Sequence, residues 1–581
     1  MNILNPLLII FEKKWFIFIN GIFILLCSVL IMPNLFYDDY DIWWNLAYGR
    51  HFVENKTMYI DDFKFQYTPT PKKEVIDVNW LGSSILYTVY RIFGRNGLVF
   101  FKLVCQICIF LLMIMFIIKI SSKLGIIHFV TIFMCSLFFI GYFDIVNQHM
   151  LTLVMFVSLT YIIFDLKSNS SKLLWQLPLI MIFWINLHHG AFLGYGYLFL
   201  IFIGEILNRR LDFRNFILFL FSFFTILFNP YGIKYPINFI QRFFSKGSML
   251  KSNIKGVYPT YHSLFSKIEL NSMSFKAWLM VIMFFILVLV MVTVWKKRRS
   301  IDYSILFSLV FLFYYAMMYR LIIAFFSVFF FFSLYYLLNI INVRISGGKC
   351  SLCALILFIV FFSSLLQKDI GQRTFLFSGD DMIKYAPEGA CSFMLDEKIA
   401  GPIYNTYREG GYIIWRLYPD YKVFIDPRFY VYSKTFLRDV FSVGSKKELT
   451  EQTFEKTILG KLYEKYGFKS AIIRNERYGV LSSFLKFSKK WQLAYIGKIS
   501  SVIVLRNEKI KTSSREYFTK YLSPERFNEI SDPQILEPLF DIYDSFDKRS
   551  ASIIMKTYEK NVRKTYFFKD RQVKLMKRML M

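Results

Sequence analysis

The sequence predicts an α-helical polytopic membrane protein of about eleven transmembrane helices with a C-terminal extracytoplasmic α/β domain. Three observations predict it. Hydrophobic residues make up 55% of the 581 positions and aromatic residues 20%, more than a soluble chain of this length sustains. The apolar residues collect in runs of the length a bilayer core demands of a helix. The short loops between those runs alternate between Lys/Arg-rich and Lys/Arg-poor, the charge asymmetry that sets orientation.

The hydropathy pattern places spans at 15–32, 97–118, 125–142, 150–166, 173–187, 190–207, 213–229, 275–295, 301–318, 321–341 and 350–366. One set of loops carries Lys13/Lys14, Lys119/Lys123, Lys167/Lys172, Arg209/Arg210/Arg214, Lys296 to Arg299, and Arg344/Lys349. The opposite short hinges, 143–149, 188–189 and 319–320, hold Arg320 alone among Lys and Arg. This pattern puts the N-terminus in the cytoplasm and the C-terminal domain outside the cell membrane. The Lys-rich loop 230–274 falls outside in this scheme, as long loops do with less regard to charge. The first span follows a Lys pair and is not followed by a small-residue cleavage site, so it reads as a retained anchor.

Residues 1–366 form the transmembrane domain with an outer loop at 33–96, residues 367–507 an extracytoplasmic α/β domain, and 508–581 a charged helical tail. In the outer loop, Asp41–Arg50 has helical spacing, with Ile42, Trp43, Leu46 and Gly49 on one face. Trp80–Phe93 reads as a second amphipathic helix lying on the membrane surface. In the α/β domain, strands are expected at Tyr404–Tyr407, Lys422–Ile425, Ser470–Arg474, Gln492–Ile496 and Val502–Arg506, the last two paired as a hairpin. Helices are expected at Tyr412–Leu417, after Gly410 and Gly411 break the first strand, and at Glu451–Tyr466.

Charge and cysteine content narrow the function classes. The net charge is +29, divided between cytoplasmic loops and the terminal region. Outside a cell that argues against nucleic acid, and for membrane lipids, an acidic surface polymer or simple solubility of the outer domain. Six of the seven cysteines lie in or beside spans and only Cys391 in the outer domain, so no disulfide framework is implied. The CxxC pairs Cys105/Cys108 and Cys350/Cys353 have no Cys or His cluster to complete a metal site.

Four constellations could carry chemistry. Asp38, Asp39 and Asp41, then Asp61 and Asp62, lie where the first span leaves the membrane. A partly desolvated carboxylate there has a raised pKa and suits a general base, or a divalent-metal ligand; the alternative is solvated residues at a helix end and a turn. Gln148 and His149 open one helix, and Asn186, His188 and His189 occupy a hinge, where polar groups at membrane depth bond a phosphate or sugar, ligate a metal, or tie helices together. Arg320 suits a lipid-linked phosphate or snorkelling to headgroups. Asp426 and Arg428 end an expected strand and form either a ligand site or an internal ion pair.

These stretches carry a resemblance. DIWWNLAYGR, then Asp61–Tyr67, then Asn79-Trp80-Leu81, resembles the first outer loop of prokaryotic multi-pass proteins related to the GT-C glycosyltransferases. Gln148-His149-Met150-Leu151, WINLHHGAFLG at 184–194, Asn229-Pro230-Tyr231-Gly232, Arg320 and GGYIIWRLYP…VFIDPR follow in that family's order, so that the resemblance spans about residues 35–507. The chain departs from the pattern in lacking the Arg and Pro before Gln148, and in carrying Gly82/Ser83 where an acid often follows the Trp-Leu pair.

The resemblance implies a glycosyltransferase that moves a sugar from a polyprenyl-phosphate-linked donor to a cell-surface glycan, lipid or protein on the extracytoplasmic side. Asp41, with Asp39, is then the catalytic carboxylate. Arg320, His188, His189, Gln148 and Trp80 contact substrate. No resident metal site is assigned, and a divalent cation stays an open option as cofactor. The alternative is a non-catalytic transporter, assembly factor or scaffold for envelope polysaccharide.

Overall fold

A computed structural model describes residues 41–60, 64–68, 76, 79–120, 146–168, 172–244, 275–298, 300–319, 322–341, 386–428, 431–445, 448, 450–487, 490–497, 499–506, 540 and 548–561. The expected spans 15–32, 125–142 and 350–366 lie outside the described residues, as do Asp38, Asp39, Asp61, Asp62 and Arg320. The chain divides into two compact units. The first takes 1–39, 48–59 and 76–378, and the second takes 40–47, 60–75 and 379–581.

The helix α1, Asp41–Glu54, contributes its first two turns to the second unit and the rest to the first. The spacing predicts one apolar face for it. Instead every residue from Ile42 to Gly49 is buried, Asn45 included. It is a core helix, because the neighbours of a helix decide how much of its girth is covered.

In the first unit, α2 runs Trp80–Ile120, α3 His149–Lys167, α4 Leu177–Leu187, α5 Ala191–Leu207, α6 Phe213–Phe224, α7 Lys234–Phe244, α8 Phe275–Arg298, α9 Tyr303–Met318 and α10 Ile323–Ile340. Eight of the eleven expected spans fall on these helices. The helices α2, α3, α8 and α10 are long and apolar enough to cross a membrane, and α4, α5, α6 and α9 are shorter apolar helices. Large apolar side chains such as Phe213 at 79% and Leu289 at 66% stay exposed, which only an apolar surrounding makes favourable. The helix expected at Trp80–Phe93 is present as the first part of α2. It breaks at Gly94 (φ 61°, ψ −153°), a conformation that essentially only glycine adopts, before the apolar run resumes.

Several charges inside this unit are mutually paired. Lys167, at the end of α3 and fully buried, bonds Glu205 of α5, Ser304 of α9, and both oxygens of Asp302 at 3.0 and 3.1 Å. Arg210 donates to Asp302 Oδ2 at 2.6 Å, and Asp302 also caps α9 by accepting from Ile305 N. Lys119 pairs with Asp165, joining the ends of α2 and α3. Lys167 reads in the sequence as a loop cation that sets topology; here it ties three helices together.

The second unit contains a four-stranded sheet among the described residues. Its strands are β1 (Ile403–Asn405), β2 (Ser470–Arg474), β3 (Trp491–Ile496) and β4 (Ser500–Leu505), in the order β1-β2-β4-β3. Only β1 and β2 are parallel; the others pair antiparallel, β3 and β4 as the expected hairpin. Around them lie α11 (Glu388–Asp396), α12 (Gly410–Leu417), α13 (Lys434–Ser442), α14 (Ile458–Tyr466), α15 (Tyr478–Leu485) and α16 (Lys548–Asn561). Three expectations are corrected. Lys422–Ile425 is not a strand of the sheet, since its backbone pairs instead with the 64–68 segment in an isolated bridge at Gln66 and Val423. The first strand ends at Asn405 and a 3-10 turn at Tyr407–Glu409 follows, leading into α12. The charged helix begins only at Ile458, where Thr457 caps it by accepting from Gly460 N, after a 3-10 turn at Phe454–Lys456.

Lys167→Met is expected to destabilise the detergent-solubilised protein by about 3–5 kcal/mol, because two buried acids lose their shared cation. Thermal unfolding should show Lys167→Met/Glu205→Gln recovering part of that loss. Equal stability of Lys167→Met and the unchanged chain would show the network to be dispensable.

Candidate functional site

The sequence-predicted residues that are described gather in two clusters, one in each unit. In the first unit, α2, the N-terminus of α3 and the turn between α4 and α5 meet through side chains. Gln148 is buried just before α3, and its Nε2 donates to Ser83 Oγ at 2.7 Å and towards the Asn79 carbonyl at 3.4 Å. The backbone N–H of His189 donates to Asn79 Oδ1 at 3.1 Å. The indole N–H of Trp80 donates to Asn186 Oδ1 at 2.8 Å, and Asn186 Nδ2 donates to the Phe228 carbonyl at 2.8 Å. Gly82 lies directly against this turn: a Cβ there would collide with the Leu187 carbonyl. An acidic side chain therefore has no room at position 82, and the adjacent Ser83 is engaged with Gln148.

Three histidines converge there. Their ring centroids are 4.5 Å apart for His149 and His188, 3.9 Å for His188 and His189, and 6.3 Å for His149 and His189. His188 is buried and His189 is exposed. The N–H of Gly190 donates to His188 Nδ1 at 3.1 Å, so that nitrogen carries no proton. Thr152 Oγ1, which accepts from Trp184 Nε1 at 3.2 Å, can then only donate to the same Nδ1, at 2.8 Å. The chain Trp184–Thr152–His188 thus fixes the tautomer of neutral His188 with its proton on Nε2. A metal-bound histidine usually shows the reverse, a free ring nitrogen on the metal and the other donating to an acceptor. As held here, His188 offers a donor, which suits an oxyanion. Among the described residues there is no group of three or more His, Cys, Asp or Glu able to hold a metal ion.

In the second unit, Asp41 stands at the first turn of α1, half-buried. Its Oδ1 accepts from the indole N–H of Trp44 at 3.1 Å, and its backbone carbonyl accepts from Asn45 Nδ2 at 2.8 Å. Burial pushes the Asp41 carboxyl up to about 6; the Trp44 hydrogen bond draws it back down, and the Asp426 charge adds a further upward push. Asp426 and Arg428 form an internal ion pair, both completely buried. Arg428 donates from Nε to Oδ1 at 2.7 Å and from Nη2 to Oδ2 at 2.6 Å. Gln66 Oε1 accepts from Arg428 Nη2 at 2.8 Å, and Tyr432 donates its hydroxyl to Asp426 Oδ2 at 2.6 Å. The bridge between 64–68 and Val423, with Thr68 donating to the Phe424 carbonyl at 2.9 Å, lies beside this knot.

Trp44, Asn79, Ser83, Thr152, Gln66 and Tyr432 are members of these clusters that sequence reasoning did not assign. Thr152 had a usable signal, four residues after Gln148 and so on the same side of α3. Gln66 had none, because its partner is 362 positions away.

The described residues define a helical membrane protein that carries a small α/β unit. No protein-family model and no curated protein matches the chain. Among solved structures it is similar to the crystal structure of the Archaeoglobus fulgidus oligosaccharyltransferase in the apo form, with a TM-score of 0.49 and 11% sequence identity. That match covers 86% of this chain and 76% of that one. At this level the likeness assigns neither an activity nor a site.

Arg428→Met is expected to leave Asp426 buried without its cation and to weaken the local fold by about 3–5 kcal/mol. Hydrogen exchange on the whole protein should show the Tyr67 and Val423 amides opening far more often. Unchanged exchange at both amides would mean that the ion pair does not hold the 64–68 segment.

Proposed function

We propose that the chain is a GT-C-like glycosyltransferase that moves a sugar from a polyprenyl-phosphate-linked donor to a cell-envelope acceptor on the extracytoplasmic side. The observation that carries the proposal is Asp41: a carboxylate at a helix start, its pKa raised to about 6 by burial, one oxygen oriented by Trp44. A carboxylate of that basicity accepts a proton from an acceptor hydroxyl at neutral pH as the hydroxyl attacks the anomeric carbon, and polyprenyl phosphate leaves. Asp39 is the second carboxylate of the proposal. The leaving phosphate needs hydrogen-bond donors, and His188, held with its proton on Nε2, supplies one. Exposed His189 and Arg320 are assigned to the same phosphate. Gln148 and Trp80 carry their polar groups on Ser83 and Asn186, which gives them a positioning role at the His188–His189 turn rather than direct bonds from those atoms to substrate. Stabilisation of the leaving group by a divalent cation is compatible with this scheme and no step depends on it.

The test is release of polyprenyl phosphate from a panel of polyprenyl-phosphate sugars by the reconstituted protein. Asp41→Asn should abolish release. Failure of the unchanged protein with the lipid-linked sugars of its own cell would move the reading to transport or scaffolding.

The pH dependence follows from the same carboxylate. A base works when deprotonated, so activity should rise with pH through a midpoint near 6 rather than near 4. Trp44→Phe removes the N–H that favours the charged form, and the midpoint should then move to higher pH with the ring's packing kept. An acid limb that stays put in Trp44→Phe would remove Asp41 from the role of base.

A further inference from the structure

We infer that α7, Lys234–Phe244, is a membrane-surface helix whose apolar face is seated at the boundary between lipid headgroups and acyl chains. The inference does not rest on glycosyl transfer. At about 1.5 Å per residue, its eleven residues are too short to cross a bilayer, and Lys234, Asn238 and Gln241 make it too polar to sit within one. One side of it packs inward. Tyr235 is buried, Phe239 stacks on Phe192 with centroids 3.7 Å apart and planes 7° apart, and Phe192 also meets Tyr235 at 5.2 Å.

The other side is left uncovered by the described residues. Ile233, Ile237 and Ile240 lie within one turn of each other on the wheel and are 58%, 46% and 52% exposed. Such a stripe beside a lysine is what an interfacial helix presents to phospholipid. The occupant is argued from continuity. The preceding helix, α6, exposes Phe213, Ile217, Phe221 and Phe224, and the run goes on through Leu227 and Phe228 to the Ile233 face.

The turn that joins the two helices is firmly built. Asn229 donates to the Ile226 and Gly232 carbonyls and accepts from Tyr231 N, and Tyr59 donates to the Pro230 carbonyl at 2.8 Å. The angle at which the chain leaves α6 is therefore set by hydrogen bonds. A helix seated in this way puts the lipid boundary one stacked ring pair from the first turn of α5, which His188 and His189 precede in the chain.

The experiment places a photo-crosslinking benzophenone amino acid at 237, at 240 and, as a lipid-facing reference, at 213 in the full-length protein. The protein is reconstituted in phosphatidylethanolamine–phosphatidylglycerol vesicles and irradiated, and the adducts are read by mass spectrometry. The expected result is a mass gain of one phospholipid at 237 and 240, with the attachment on the glycerol or the upper acyl carbons. A crosslinked dimer at these positions would assign the face to a second copy of the chain and overturn the proposal. Attachment near the acyl termini, or lipid adducts at 213 with none at 237 and 240, would overturn it as well.

Discussion

A charge in apolar surroundings has no water to turn to, and in this chain buried Lys167, Asp426 and Arg428 each meet specific partners. The cost of leaving one bare is several kcal/mol, a large share of the total stability of a domain. Lys167 illustrates the consequence in the helical unit. It lies among Glu205, Asp302 and Ser304, so the ends of α3 and α5 and the start of α9 are fixed by one ammonium group. Asp426 and Arg428 do the same in the α/β unit, with Gln66 and Tyr432 taking up the remaining lone pairs and protons. In both places at least one partner comes from a distant part of the sequence, which makes the networks specific as well as stabilising.

The same constraint shapes the histidine cluster. Polar side chains at 79, 83, 148 and 152 are engaged with one another or with the 188–190 turn, and that leaves His188 with one defined tautomer. Gly82 is part of this arrangement through its size, since the carbonyl of Leu187 occupies the space a side chain would need. A side chain at position 82 is thus excluded by packing at the turn. Asp41 is treated differently. Its carboxylate accepts from one indole N–H, and burial holds the carboxyl near 6 rather than near 4. A paired carboxylate would be a poor base, and Asp426, locked to Arg428, is one.

Hydropathy made the helical unit readable, because a run of apolar residues of membrane length is a local signal that needs no partner. Eight expected spans fall on described helices, and Gly94, a glycine in the run from Trp80, marks where the first helical stretch ends and the apolar run resumes. The hairpin of β3 and β4 was legible for a similar reason, since its two strands are near neighbours in the chain. Lys422–Ile425 was misread as a strand of the sheet. Its pattern suits extended backbone, and pattern does not say which backbone it will pair with.

The sequence by itself determined the kind of protein this is, where its apolar helices lie, and which polar residues stand at their ends. Those are properties of single segments, fixed by the free energy of transferring side chains out of water. Tertiary structure decided what each polar residue does. It made Asp426 and Arg428 a buried pair with Gln66, turned Lys167 from a loop cation into a link between helices, covered α1 on every side, and set the proton of His188 on Nε2. A hydrogen bond or an ion pair depends on the distance between two groups, and for groups hundreds of residues apart only the folded chain supplies that distance.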